Sequence, residues 1–163
     1  MSSFNLAQRV VNLLASQPII VKGDSMLPTL AHRQIVQAVS LALPWNRIRR
    51  GDIVILRHPQ QRQRWFIKRV IGLPQEYVQI EDSRVLIDQC PLPEPYLGGA
   101  LTSDKGKATK WHLDADEYFV LGDNRSISED SRDFGLVRRE LILKQVWFRH
   151  WPPRKFQREP EHD

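Results

Sequence analysis

A single cysteine, Cys90, is too little for an internal disulfide and excludes every cysteine-rich metal site. Long apolar runs are missing too, and none approaches the ~20 residues that a membrane-crossing helix needs. The best candidate, Phe4 to Val21, is interrupted by Asn5, Gln8, Arg9, Asn12 and Gln17 and runs into Pro18. The same interruptions disqualify it as a cleavable signal sequence. Neither an internal repeat nor a low-complexity tract is found. The acidic stretch at Asp123 and Asp130 lacks the alternating oxygen ligands and central glycine of a calcium loop, and it carries Arg125 and Arg132. No metal and no cofactor are therefore expected.

What remains is the composition of an ordinary globule, with 41% apolar and 26% charged residues in a 163-residue chain. That length suits one domain with a substantial core. The net charge of +5 favours acidic partners, either an anionic lipid surface or a nucleic acid. Leu6, Val10, Leu13 and Leu14 recur at helical spacing, which predicts a short amphipathic helix within residues 1–17.

Beyond it the chain reads as strands. Ile19 to Lys22, Gln34 to Val39, Ile53 to Arg57, Trp65 to Ile71, Tyr77 to Glu81, Val85 to Asp88, Glu117 to Leu121 and Leu141 to Phe148 are short and rich in β-branched or aromatic residues. Gly51-Asp52, Gly72-Leu73-Pro74 and Glu81-Asp82-Ser83-Arg84 mark reversals between them, the last a hairpin. The expected fold is mostly β, a curled antiparallel domain over 18–150. Residues 89–116, with Pro91, Pro93, Pro95, Gly98, Gly99 and Gly106, read as a surface excursion, and 151–163 as a charged tail.

Two segments carry the chemistry. Ser25 sits in Gly23-Asp24-Ser25-Met26-Leu27-Pro28-Thr29-Leu30, and Lys68 in Trp65-Phe66-Ile67-Lys68-Arg69-Val70-Ile71-Gly72. A serine hydroxyl needs a base during attack, and a lysine serves only when its proton affinity is lowered. Bringing its pKa from ~10.4 to ~7 requires roughly 4 to 5 kcal/mol, which burial can supply. Strand alternation puts Lys68 on one face with Phe66 and Val70 and turns Arg69 away. His32, His58 and His112 have no acidic neighbour in sequence, so a histidine base would need long-range partners.

Four segments occur in the order seen in type I signal peptidases: the one around Ser25, Gly51-Asp52-Ile53-Val54, Lys68-Arg69-Val70-Ile71-Gly72-Leu73-Pro74, and Gly122-Asp123-Asn124-Arg125 through Ser128, Asp130, Ser131 and Arg132. From about Val21 to Phe148 the chain resembles that family, and Glu94-Pro95-Tyr96-Leu97 is similar as well. The resemblance implies a signal peptidase/LexA-like β domain and a serine endopeptidase that removes signal peptides through a Ser-Lys dyad. Ser25 would be its nucleophile and Lys68 its general base. Ser128 would hydrogen-bond and orient the lysine, Asp123, Arg125, Asp130 and Arg132 would buttress the site, the backbone of Ser25 and Gly23 would form the oxyanion hole, and Met26 would line the cleft. The partner would be an extended segment of a precursor protein, with small residues at the first and third positions before the cut.

The family's amino-terminal membrane anchor is not found in the sequence. Attachment at the cell membrane is therefore expected to be peripheral, through the short helix, or supplied by a partner, with a soluble enzyme as the alternative. Gln75-Glu76 replaces the Gly-Asp often found after Leu73-Pro74. Two other functions stay open at this point. One is a soluble maturation peptidase trimming a propeptide such as that of nickel superoxide dismutase. The other is a non-catalytic basic module whose arginines, among them Arg47, Arg49 and Arg50, bind nucleic acid or anionic lipid. The peptidase reading itself requires no nucleic acid.

Overall fold

The computed structural model describes residues 11, 12, 14–42, 46–107, 109–149, 154 and 155. Within them the short apolar segments form two antiparallel sheets. The larger runs in the order β1 (Gln17–Ile20), β2 (Ile35–Ser40), β11 (Ile142–Arg149), β3 (Ile53–Arg57), β4 (Trp65–Gly72), β9 (Glu117–Leu121) and β10 (Val137–Arg138), with β12 (Arg154–Lys155) paired to β11. The smaller runs β7 (Cys90–Pro91), β6 (Arg84–Ile87), β5 (Tyr77–Glu81) and β8 (Lys110–His112). A short helix, α1 (Ser131–Phe134), capped by Asp130, follows β9.

Each sheet forms for a local reason. Glu81 pairs with Arg84 across Asp82 and Ser83, whose φ angles of 49° and 60° give the doubly left-handed turn that matches strand twist. The eight residues of β4 pass from an exposed Trp65 to a fully buried end, because β3 and β9 flank it on both sides. Where the two sheets meet, Ile71, Phe119 and Leu121 pack on Val78, Ile80, Val85, Ile87 and Leu113. Gly72 is the joint. A Cβ there would lie 2.5 Å from Val78 Cγ2 and 3.0 Å from both Leu113 Cδ2 and Phe119 Cβ, so only hydrogen fits.

The segment 89–116 differs from the expected surface excursion. It contributes β7 and β8 to the smaller sheet and buries Leu97, Thr102 and Leu113. Its prolines and glycines confine it to edge strands of two and three residues, too short to show a period of two. Of the helix expected within 1–17, residues 1–10 and 13 lie outside the described residues, while 11, 12, 14 and 15 are helical. Of the tail, only Arg154 and Lys155 are described, as a strand against β11.

Candidate active site

Ser25 stands on a tight turn in which Leu27 N donates to Asp24 O and Leu30 N to Met26 O. Met26 and Leu30 anchor the turn, being 1% and 0% exposed in a cluster with Val21, Val36, Ala38, Ile53, Ile55 and Val146. Met26 is thus core, not the cleft-lining side chain expected from the sequence, because the turn directs it inward as Ser25 is directed outward. Lys68 comes from the middle of β4, opposite Val54 of β3. Its Nζ lies 2.9 Å from Ser25 Oγ, while its side chain is 1% exposed.

Burial dominates the electrostatics of that amine. It lowers the Lys68 pKa to about 8, against the attraction of the Asp130 and Glu129 carboxylates and with help from the positive charges of Lys105 and Arg132. The Phe66 ring, 5.1 Å from Nζ, supplies an apolar wall whose face also favours a cation. Lys68 is therefore a group that can hold or release a proton near neutrality, with a hydroxyl in reach.

A third segment closes over the pair. Asn124 N donates to Ser25 O at 3.0 Å, and Asn124 Nδ2 to Asp24 O at 3.2 Å. Ser128 is wholly buried, and its Oγ makes no hydrogen bond; the bond to Lys68 that the resemblance implied is not formed here. The hydroxyl lies near the main chain of the Ser25 turn nonetheless. A Cβ on Gly122 would meet Ser128 Oγ at 2.1 Å and the Ser25 carbonyl at 2.5 Å, so the absence of a side chain at 122 lets the two segments touch.

Three arginines fix this arrangement. Arg69, on the face of β4 opposite Lys68, makes two hydrogen bonds to Asp123, at 2.8 and 2.6 Å, and one to Gly51 O, under the ring of Tyr96. Thr29 donates to the same Asp123 at 2.5 Å and ties the nucleophile's turn to the end of β9. Arg125 pairs with Glu94 at 3.0 and 2.5 Å and contacts Thr102. Arg132 pairs with Asp130 at 2.8 Å through both Nε and Nη2 and reaches Ser103 O and Arg125 O. Asp130 also receives Gly122 N and caps α1, with Asp133 returning the contact to Asp130 N. Bidentate pairs of this kind hold direction as well as charge. Arg69, Thr29, Glu94 and Thr102 were not identified from the sequence. Their only signals were the adjacency of Arg69 to Lys68 and the Glu94-Pro95-Tyr96-Leu97 segment.

The Gly23 N–H, expected as an oxyanion donor, donates to His32 Nδ1 at 3.0 Å. Gly23 adopts φ 83°, which lets the chain turn into the Ser25 segment. Among the described residues no acceptor takes the Ser25 N–H. His58 is occupied. Its Nδ1 accepts from Gln60 N and Gln61 N, its Nε2 faces Glu129 at 3.5 Å, and its ring sits against Phe66 and Phe134. Among the described residues no group of three or more His, Cys, Asp or Glu could hold a metal ion, and no helix is long and apolar enough to cross a membrane.

Comparison with known proteins adds an independent line. Residues 3–151 match the family model described as signal peptidase, peptidase S26. Signal peptidase I of Leptolyngbya laminosa is 38% identical over 140 residues, covering 81% of this chain and 67% of that protein. Signal peptidase I of Bacillus caldolyticus is 34% identical over 148 residues, covering 84% and 80%. The crystal structure of a signal peptidase I from Enterococcus faecalis V583 superposes with a TM-score of 0.50 at 30% identity, over 60% of this chain and 94% of that one.

Proposed function

This chain belongs to the signal peptidase family, peptidase S26, and from that premise we propose that Ser25 is its nucleophile and Lys68 its general base. The protein is a serine endopeptidase that removes signal peptides. A non-catalytic basic module and a propeptide-trimming enzyme have no support among these relatives.

The observation that carries the reading is the 2.9 Å separation of a buried amine from a half-exposed hydroxyl. Neutral Lys68 takes the Ser25 proton as Oγ attacks the scissile carbonyl, and the Ser25 N–H receives the negative charge that develops on the carbonyl oxygen. The ammonium so formed returns its proton to the leaving amine, leaving an ester on Ser25. Lys68 then deprotonates a water that attacks this ester, and the serine is restored. The substrate lies as an extended strand beside Ser25, its main chain hydrogen-bonded to the sheet. Ser128 bounds the amine's pocket, and the Asp123, Arg125, Asp130 and Arg132 pairs keep that pocket closed.

Contact with the membrane is peripheral in this reading. Ile20 and Ile35, neighbours across β1 and β2, are 58% and 43% exposed and give that end of the sheet an apolar surface.

The test is cleavage of a secretory precursor, with the products located by mass. Ser25→Ala and Lys68→Ala lose cleavage by three orders of magnitude or more while keeping the wild-type melting temperature within a few degrees, as expected when a unit of two residues is broken (roughly 10³ or greater). His58→Ala retains cleavage. Cleavage by Lys68→Ala at the wild-type rate overturns the assignment.

A further inference from the structure

We propose that Lys105 is a positioning residue for the Ser25–Lys68 pair: its ammonium fastens the Ser128 carbonyl, and so the segment that closes over the pair, and places a positive charge on that segment. The inference rests on the reading of Lys68 as base.

Lys105 lies far from both residues in sequence, in the segment between β7 and β8. It is held there by a hydrogen-bonded turn. Lys105 N donates to Ser103 Oγ, Gly106 N to Asp104 Oδ1 and Lys107 N to Asp104 O. From that turn its Nζ donates to Ser128 O and, at 2.5 Å, to Asp133 Oδ2, with only 22% of the side chain exposed. Lys107 shares Asp133 at 2.7 Å, and no contact of Lys107 with Ser128 is found among the described residues.

The placement matters because Ser128 is buried with no hydrogen bond from its side chain. Its hydroxyl is unpartnered, its N–H goes to Asn124 O, and its side chain fills the space that a Cβ on Gly122 would need. A cation on its carbonyl fixes the peptide that bounds the reacting pair. Charge adds a second effect. Asp130 and Glu129, on the segment leading into α1, favour the ammonium form of Lys68; Lys105 and Arg132 favour the neutral form. Arg132 is committed to Asp130 in a buried pair, whereas Lys105, paired with Asp133 at 22% exposure, arrives from a separate surface turn. Lys105 therefore leans against the two carboxylates on behalf of the neutral amine.

The experiment is the pH profile of kcat/KM on a precursor peptide for wild type, Lys105→Met, Lys105→Gln, Lys105→Arg and Lys107→Met. Loss of the Lys105 charge in the Met and Gln variants moves the acid limb upward by roughly half a pH unit, about a threefold loss on its acidic side. Lys105→Gln keeps an N–H donor for Ser128 O and retains the alkaline plateau rate, while Lys105→Met lowers it. Lys105→Arg and Lys107→Met leave the limb where wild type has it. An unmoved limb in both neutral variants overturns the proposal, as does an equal shift in Lys107→Met. Should Lys105→Met fail to fold, the Gln variant gives the same reading of the limb. Failure of the lysine base itself is separate, since wild type would then lack an acid limb near neutrality and Lys68→Ala would cleave.

Discussion

A buried amine is chemically useful because it is energetically awkward. The folded protein binds a proton at Lys68 only below about pH 8, whereas the ordinary lysine value is 10.5. Between those values the unfolded chain carries more protons than the folded one, so stability rises with pH across that window. Below it the folded protein bears the full cost of charging the site, about 3 kcal/mol at the value given. Lys68→Met, of similar volume and without charge, is therefore expected to be more stable than wild type at pH 7 by one to three kcal/mol, as an order-of-magnitude figure. The gain should vanish toward pH 10.5. Denaturant titrations at the two pH values check this, and a variant less stable than wild type at pH 7 contradicts it. With Lys68 as the proposed base, the same residue is expected to set the rate profile. Roughly a tenth of the protein has neutral Lys68 at pH 7, one unit below about 8, so cleavage is expected to rise through the neutral range.

Among the elements, β4 does the most to build the site, because its two faces serve different ends. One presents Lys68 to Ser25, and the other sends Arg69 to Asp123. Its last residue, Gly72, lets the smaller sheet sit against the larger. Gly72→Ala places a methyl against the stiff Val78 side chain and the Phe119 Cβ, and an overpacking cost of about 1 to 3 kcal/mol is expected. Thermal denaturation would show it, and an unchanged melting temperature would mean that the sheets separate freely. Much of this was legible beforehand. β3, β5 and β9 have the limits that β-branched and aromatic runs define, and the serine and lysine segments are the ones the structure brings together. The edge strands β7, β8, β10 and β12 were not legible, because two or three residues carry no period and their partners lie elsewhere in the chain. Nor were the acceptors of Arg125 and the anchor of Ser128. Glu94, Thr102 and Lys105 come from a segment whose local composition reads as loop, and only tertiary closure gives them a role.

At the scale of the whole molecule, charge and exposed apolar surface act together. A net +5 favours acidic surfaces, anionic lipid being the one proposed above, and Ile20 with Ile35 offers an apolar patch at the end of the sheet. The protein is expected to float with vesicles containing anionic phospholipid and less with neutral ones, and high salt should weaken the association. Replacing both isoleucines, Ile20→Asn with Ile35→Asn, should leave it in the lower fraction. Flotation undiminished by that pair would assign attachment to another surface. The separation of the reacting groups along the chain has its own outcome. Ser25 and Lys68 are 43 positions apart, whereas the contact that ties Asn124 to Asp24 spans 100. A growing polypeptide on the ribosome thus holds hydroxyl and amine long before it holds the piece that fastens them. Hydrolytic competence is accordingly expected only after the segment that carries Asn124 has been made.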